Sequence, residues 1–323
     1  MEPQNKEVLV TGGLGFIGSQ LVRRLLEQPA TRVTIIDNLS GTKTDWSDID
    51  HHEQSRVLIE DLRNVEPGET MYDEVWHLAS PVGSVGIIGA AGSIASDILD
   101  VASHAHAVAA ASRAKLLYVS SSEVYGADGR HDEESDLVVA HRRGARMEYA
   151  IGKLGAEHVL YNLASDSGVP LRIVRPFNCA GPGQSQELGF VLPTFVAAAL
   201  DGRSLPVHGD GTARRAFCHV YDMVEGLMAV QEHGRAQQIY NVGQDEGALT
   251  ILELARNVID RLGSASGIAH VDPNVEFGKH WLDAFDKVPA IDRVTADTGW
   301  RPSLSLDEII DDVAAHLRGP QTP

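Results

Sequence analysis

Thr11-Gly12-Gly13-Leu14-Gly15-Phe16-Ile17-Gly18 follows the apolar run Val8-Leu9-Val10. It opens a stretch, Phe16 to Gln28, in which Phe16, Ile17, Leu21 and Leu25 recur at helical spacing. A glycine triplet alone says little, but one set between a buried-strand run and an amphipathic helix marks a dinucleotide-binding turn. Gly12 allows the tight turn, Gly15 lets backbone approach a pyrophosphate at the helix N-terminus, and Gly18 lets the helix press on the strand. Gly12, Gly15, Phe16, Ile17 and Gly18 are therefore expected cofactor contacts.

The alternation continues outward from this turn. Arg32–Asp37, Arg56–Glu60, Glu74–Leu78, Leu116–Ser120 and Leu171–Arg175 are short β-type runs separated by longer helical stretches. Such alternation implies parallel pairing through right-handed crossovers. The expected fold class is α/β, a Rossmann-type doubly wound parallel sheet with a smaller C-terminal substrate-binding lobe. After Pro176, glycine and proline punctuate Ala180–Gly183 and Pro206–Gly211, and regular alternation is lost. We expect residues 1–176 to form the dinucleotide-binding domain, with returning segments near 204–243, and residues 177–323 to form mainly the substrate lobe. Ser204–His208 and Gln238–Val242 are the candidate strands beyond Pro176. Leu304–Arg318 reads as a helix, with Asp307 and Glu308 in its first turn and Arg318 at its end, as the helix dipole favours. Pro81–Ser96, rich in glycine, alanine and serine, reads as a site loop leading into a helix.

Asp37 closes the second strand 19 residues after Gly18, where an acid hydrogen-bonds the adenosine ribose hydroxyls. Its neighbours Asn38, Leu39 and Ser40 bring no arginine for a 2′-phosphate, so NAD is expected rather than NADP. Asp61-Leu62 follows the third strand, where a carboxylate can meet an adenine amino group; a helix cap is the other reading of Asp61. Asn38, Leu62, Leu78 and Ala79 at the ends of these strands, with Tyr149 and Lys153, complete the expected cofactor set.

The chain has 323 residues, with 27 lysine plus arginine against 45 aspartate plus glutamate and a formal net charge of −18. So negative a surface is a poor partner for nucleic acid or an anionic membrane. An anionic small molecule would need a local cationic pocket against that field. Hydrophobic residues at 43% and charged residues at 22% indicate a folded chain rather than a disordered one. Two cysteines, Cys179 and Cys218, allow no disulfide framework and no CxxC metal motif, and no metal is expected. Met1–Lys6 is polar, with no apolar signal core. The run Val191–Leu200 is ten residues and carries a proline, against the ~20 residues of a membrane span. We expect a soluble cytoplasmic protein with no membrane partner.

Tyr149-Ala150-Ile151-Gly152-Lys153 places a phenol and an ammonium four residues apart, on one face of a helix. A lysine beside a phenol stabilises the phenolate and makes it a usable base near neutrality. With these residues quoted, the chain resembles the extended short-chain dehydrogenase/reductases. TGGLGFIGS (11–19), Asp37, HLAS (77–80), SSSEVYG (120–126), YAIGK (149–153), RPFN (175–178), GDGTARRAFCHVYD (209–222) and YNVG (240–243) occur in that family's order and spacing. The resemblance covers nearly the whole chain and is strongest to the nucleotide-sugar branch.

The resemblance implies a shared first step. Tyr149 removes the proton of a sugar 4-hydroxyl while C4 gives hydride to NAD, Ser121 hydrogen-bonds that hydroxyl, and Lys153 holds the nicotinamide ribose. The next residues separate the branches. A 4,6-dehydratase of the family carries Asp-Glu, whose aspartate protonates the leaving 6-hydroxyl; this chain has Ser122-Glu123. A galactose-type 4-epimerase usually has no glutamate at the second position. Ser-Glu, and HLASP (77–81), resemble the UDP-glucuronate decarboxylases, in which the 4-keto sugar is a β-keto acid that loses CO₂. Glu123 would then lie near the C5 carboxylate; a capping carboxylate beside a tight turn is its structural alternative.

For the substrate, the resemblance implies diphosphate contacts at Asn178 and Arg215, a uracil neighbour at His208, and pocket positions at Pro81 and Ser122. Loop packing or surface charge is the other reading of Asn178, Arg215 and His208. Departures from the pattern concern the sugar end. Lys287, in Asp286-Lys287-Val288-Pro289, stands where the family has a diphosphate-binding arginine, and it keeps charge without the bidentate fork. A looser grip would let UDP-4-keto-pentose escape before reduction. Asp100-Val101-Ala102-Ser103-His104 and the Gln184–Pro193 segment also depart from the decarboxylases, the latter toward the epimerases. The expected function is NAD-dependent decarboxylation of UDP-glucuronate to UDP-xylose and/or UDP-4-keto-pentose, in a homodimer built on the tyrosine helix. The alternatives are a UDP-hexose 4-epimerase, then a 4,6-dehydratase. A non-catalytic dinucleotide sensor would typically lack Tyr149 or Lys153, and both are present.

Overall fold

In a computed structural model of the chain, the described residues are 5–42, 44–126, 131–137, 143–277 and 286–319. Seven strands form one sheet: β1 (Lys6–Thr11), β2 (Thr31–Asp37), β3 (Ser55–Ile59), β4 (Glu74–His77), β5 (Lys115–Val119), β6 (Leu171–Pro176) and β7 (Gln238–Val242). Their order is β7-β6-β5-β4-β1-β2-β3 and every pairing is parallel. The order reverses between β1 and β4, the position at which such sheets bind ligands beyond the carboxyl ends of their strands. Strand residues alternate between two cores. Val8, Val10, Leu117 and Val119 face α1 (Phe16–Leu26) and the later helix Val220–His233. Leu9, Leu116 and Tyr118 face α2 (Ile94–Ser112) and α3 (Ala145–Ser167). This period of two is what buries both faces of a parallel sheet.

The rest of the chain adds a smaller apolar core. Leu192, Phe195 and Val196 of α4 (Val191–Leu200) meet Leu254 and Val258 of Ile251–Leu262 and Ile309, Ile310 and Val313 of Leu306–Arg318. Ser305 begins that last helix with a capping box to Glu308. The two candidate strands beyond Pro176 part company. Gln238–Val242 returns to the main sheet beside β6, but Leu205–His208 pairs with Ile268–Val271 in the lobe. Pro81–Ser96, read as a loop, contains a short helix, Gly83–Gly89, before α2 begins. Among the described residues no single helix is long and apolar enough to cross a membrane.

Candidate active site

The glycine turn sits at the carboxyl end of β1. Gly12 has φ +70°, and a Cβ there would lie 2.7 Å from Ala79 backbone; a Cβ on Gly18 would lie 2.1 Å from the Gly12 carbonyl oxygen. Side chains are therefore excluded at both. Gly15 precedes α1 and offers no side chain to cap it, which leaves the helix N-terminus suited to an anionic ligand. The Asp37 carboxylate accepts from Leu14 N at 3.1 Å, Leu39 N at 2.8 Å and Thr42 Oγ1 at 3.2 Å, tying the turn to the end of β2. Asp61 caps the short turn Leu62–Asn64 and pairs with Arg63 at 2.7 Å, so the capping reading describes what its carboxylate does here. Leu78 N donates to Thr11 O at 3.0 Å. Gly12, Gly15, Phe16, Ile17, Gly18, Asp37, Asn38, Asp61, Leu62, Leu78 and Ala79 all line one cavity of about 930 Å³, which continues to Tyr149, Arg215 and Lys287. A glycine cradle at a helix N-terminus, with an acid at the end of the next strand, fits a dinucleotide.

Tyr149 and Lys153 lie on α3, buried at 5% and 2% exposure. Burial pushes the Tyr149 phenol up to about 12, hydrogen bonds to Ser121 and Ser80 pull it down, Glu123 raises it and Arg146 lowers it. The sequence reading has Lys153 acidify this phenol. In the structure Lys153 Nζ donates to the Val119 carbonyl at 2.8 Å and stands 5.9 Å from the Tyr149 ring centroid. Burial lowers its own pKa to about 7, against the opposing charge of Glu157. Ser121, Ser80 and Arg146 oppose burial at the tyrosine.

Glu157 follows Lys153 by one helical turn and holds α3 to the sheet. Its carboxylate accepts two hydrogen bonds from Arg175, at 2.9 and 2.6 Å, and one from Ser120 at 2.5 Å. Thr11 Oγ1 and His77 Nδ1, 2.6 Å apart, join β1 to β4 behind the site; burial and the charge of Lys153 keep His77 neutral, with a pKa of about 3.

Glu123 lies two residues beyond Ser121, in the short turn Ser122–Tyr125 that follows β5. Its Oε1 accepts from Arg146 at 2.6 Å and from the Lys287 ammonium at 2.5 Å. Burial would raise this carboxyl, but Arg146, Lys287 and Arg215 hold it down to about 2. The turn's capping bond comes instead from Ser121 Oγ, which accepts from Glu123 N at 3.2 Å. Glu123 is thus a fixed anion between two cations.

Lys287 bridges in parallel to Arg215, which sets the two cations side by side. Its ammonium pairs with Glu123, so the expected hold on a diphosphate is not what this contact supplies. Asn178 likewise gives its amide to the carbonyls of Ala216 and Lys287, each at 2.9 Å, and so shapes the Lys287 segment rather than presenting those donors to the cavity. Pro81, Ser122, His208 and Arg215 line the cavity with them. Sequence reasoning passed over Arg146 and Ser80. Arg146 had a signal: three residues before Tyr149, it shares the face of α3 that carries the phenol.

The NAD dependent epimerase/dehydratase family matches residues 8–243 of the chain. The chain belongs to that family. NAD is its cofactor, and the glycine turn, Asp37 and the Tyr149–Lys153 helix are the parts of this family member that would hold it. UDP-glucuronic acid decarboxylase 6 of Arabidopsis thaliana is 32% identical over 308 residues, covering 94% of this chain and 86% of that protein. A dTDP-glucose 4,6-dehydratase from Streptomyces venezuelae, solved with NAD bound, is 28% identical with a TM-score of 0.81, covering 97% of this chain and 96% of that one. A UDP-glucuronic acid 4-epimerase from Bacillus cereus has a TM-score of 0.85 at 21% identity, covering 97% of this chain and 99% of that one, a likeness that shows the fold.

Proposed function

We propose that this family member is a UDP-glucuronate decarboxylase. NAD, when bound, accepts hydride from the sugar C4 and returns it. The chain's own residues move the protons. Tyr149 takes the proton of the 4-hydroxyl, with Ser121 orienting that hydroxyl. The resulting ketone at C4 is β to the carboxylate. The C5–carboxyl bond breaks, CO₂ leaves, and the electron pair is held as the C4 enolate. C5 then takes a proton from solvent, and Tyr149 returns its proton to O4 as C4 is reduced, giving UDP-xylose. Release before that reduction gives UDP-4-keto-pentose.

The observation that carries this reading is the state of Glu123. A 4,6-dehydratase needs a base to remove the C5 proton and an acid to expel the 6-hydroxyl. Here the carboxylate is quenched by Arg146 and Lys287, with a pKa of about 2, and its neighbour is Ser122. A weak base fits a reaction in which loss of CO₂ itself places the electron pair on C5. The test is to incubate the protein and NAD with UDP-glucuronate, UDP-glucose and dTDP-glucose, trapping CO₂ and identifying products by mass spectrometry. CO₂ and a UDP-pentose from UDP-glucuronate alone are expected; UDP-galacturonate without CO₂ would replace this reading with 4-epimerisation.

The homodimer belongs to this proposal: α3 exposes Ile151, Val159 and Tyr161 on the helix that carries the tyrosine, and α2 lies beside it. So does a cytoplasmic location, where nucleotide sugars and NAD are both at hand.

A further inference from the structure

We propose that Glu157 is a positioning residue of the hydride-transfer step: its buried carboxylate is the counter-charge that keeps Lys153 an ammonium while that lysine grips the cofactor. The inference rests on α3 holding NAD and not on which sugar is turned over. Tyr149, Lys153 and Glu157 stand at i, i+4 and i+8 of α3, on one face. They meet three successive residues at the end of β5. Glu157 accepts from Ser120 Oγ at 2.5 Å, Lys153 Nζ donates to the Val119 carbonyl at 2.8 Å, and the Tyr149 phenol is hydrogen-bonded to Ser121. The carboxylate thus sits one helical turn from the ammonium, 3% exposed, at a place where the proposed reaction gives it no proton to move.

Burial works against the ammonium. It lowers Lys153 from the ordinary 10.5 to about 7, and Glu157 is the charge that resists the fall. The other titratable groups facing the lysine bring no negative charge near neutrality. The Tyr118 and Tyr149 ring centroids lie 4.9 and 5.9 Å from Nζ, and burial pushes both phenols up; His77 on β4 is neutral. Arg175 on β6 holds both oxygens of Glu157 and also lies 4.8 Å from the Tyr125 ring centroid. It tempers the carboxylate without cancelling it, since Glu157 raises Lys153 with the arginine in place. The charge matters because of donors. An ammonium has three hydrogens, one of which Val119 takes, leaving two for the ribose hydroxyls of NAD; a neutral amine would leave one.

The test separates charge from shape. Glu157→Gln keeps the length and an acceptor oxygen but loses the charge; Glu157→Asp keeps the charge and loses a methylene. The carbon-13 signals of the lysine Cε atoms are followed by NMR across pH in the full chain without NAD, with Lys153→Arg to assign the resonance. We expect Lys153 to titrate near 7 in the parent, about one pH unit lower or more in Glu157→Gln, the low end of the effect of a neighbouring charge, and near the parent's value in Glu157→Asp. Such a fall cuts the charged fraction at pH 7 from about a half to about a tenth. NAD affinity, read by calorimetry, should therefore be about fivefold weaker in Glu157→Gln at pH 7, and the two proteins should converge by about pH 5, where both lysines are charged. An affinity gap that persists in acid, or a Lys153 titration that the glutamine variant leaves unmoved, would make Glu157 a clamp of shape alone and overturn the proposal. Should the glutamine variant not fold, the parent decides. Titration near the ordinary 10.5 would mean that burial never threatens the ammonium, and refutes the proposal; titration near 7, retained in Glu157→Asp, upholds it.

Discussion

Replacing Glu123 by glutamine removes one charge and leaves an amide oxygen that can still accept from Arg146 and Lys287. The loss is therefore electrostatic. Its size follows from the carboxyl's depressed pKa. A fall from 4.5 to about 2 corresponds to about 3 kcal/mol at 1.36 kcal/mol per pH unit. This agrees with the low end of the ~3–5 kcal/mol seen when one partner of a buried pair is removed. At about 2.1 cal/mol/K per residue, 323 residues give an unfolding entropy of about 680 cal/mol/K, so Tm should fall by about 4 °C. The pH dependence has a fixed sign. A depressed carboxyl stabilises the fold above its unfolded value near 4.5, and that contribution is lost as pH falls toward 2. Thermal unfolding of both ligand-free proteins from pH 7 to pH 3 should show the gap steady down to about pH 5 and narrowing below. Adding Lys287→Gln to Glu123→Gln should recover part of the loss, because it removes a cation that the first change strands. A gap under about 1 °C at pH 7, or one that does not narrow with acid, would refute the ion-pair argument.

Tyr149→Phe should abolish turnover while NAD binding survives, because the ring keeps its packing and loses only the oxygen that takes the proton; activity within a few-fold of the parent would sink the assignment. Asp37→Ala should weaken NAD and shift preference toward NADP, read by titration with both cofactors, and equal affinity of the unaltered protein for the two would count against the ribose role. Gly18→Ala should lower NAD affinity by tenfold or more and reduce stability by about 1–3 kcal/mol, since its Cβ would fall 2.1 Å from the Gly12 carbonyl oxygen; an unchanged cofactor affinity would mean that the turn relaxes freely.

What the sequence made legible is local. The glycine turn, the strand runs and the Tyr149–Lys153 spacing each lie within a few residues, and periodicity or steric need exposes them. What it hid depends on partners far along the chain. Leu205–His208 looks like any strand, and only its pairing with Ile268–Val271 puts it in the lobe. Lys287 meets Glu123 across 164 positions, so its role could not be seen from Asp286-Lys287-Val288-Pro289 alone. Asn178, in RPFN, matches the family's diphosphate contact, but its amide donates to the carbonyls of Ala216 and Lys287, which lie 38 and 109 positions further along. Arg146 was within local reach, three residues from the tyrosine, yet a lone arginine on a helix gives no chemistry until a carboxylate is seen beside it.

The parallel pairing of β7 with β6 has a consequence for how the polypeptide is made. β6 ends at Pro176 and its neighbour begins at Gln238, so about sixty residues must leave the ribosome before that edge is closed. At ~5–20 residues per second this takes about 3–12 s. Throughout that interval the nascent sheet presents an unpaired row of amides and carbonyls along Leu171–Pro176, the kind of edge that recruits other strands. The first half of the protein thus waits on the second to become safe, and a chain stopped at residue 176 would keep its cofactor turn while exposing the edge permanently.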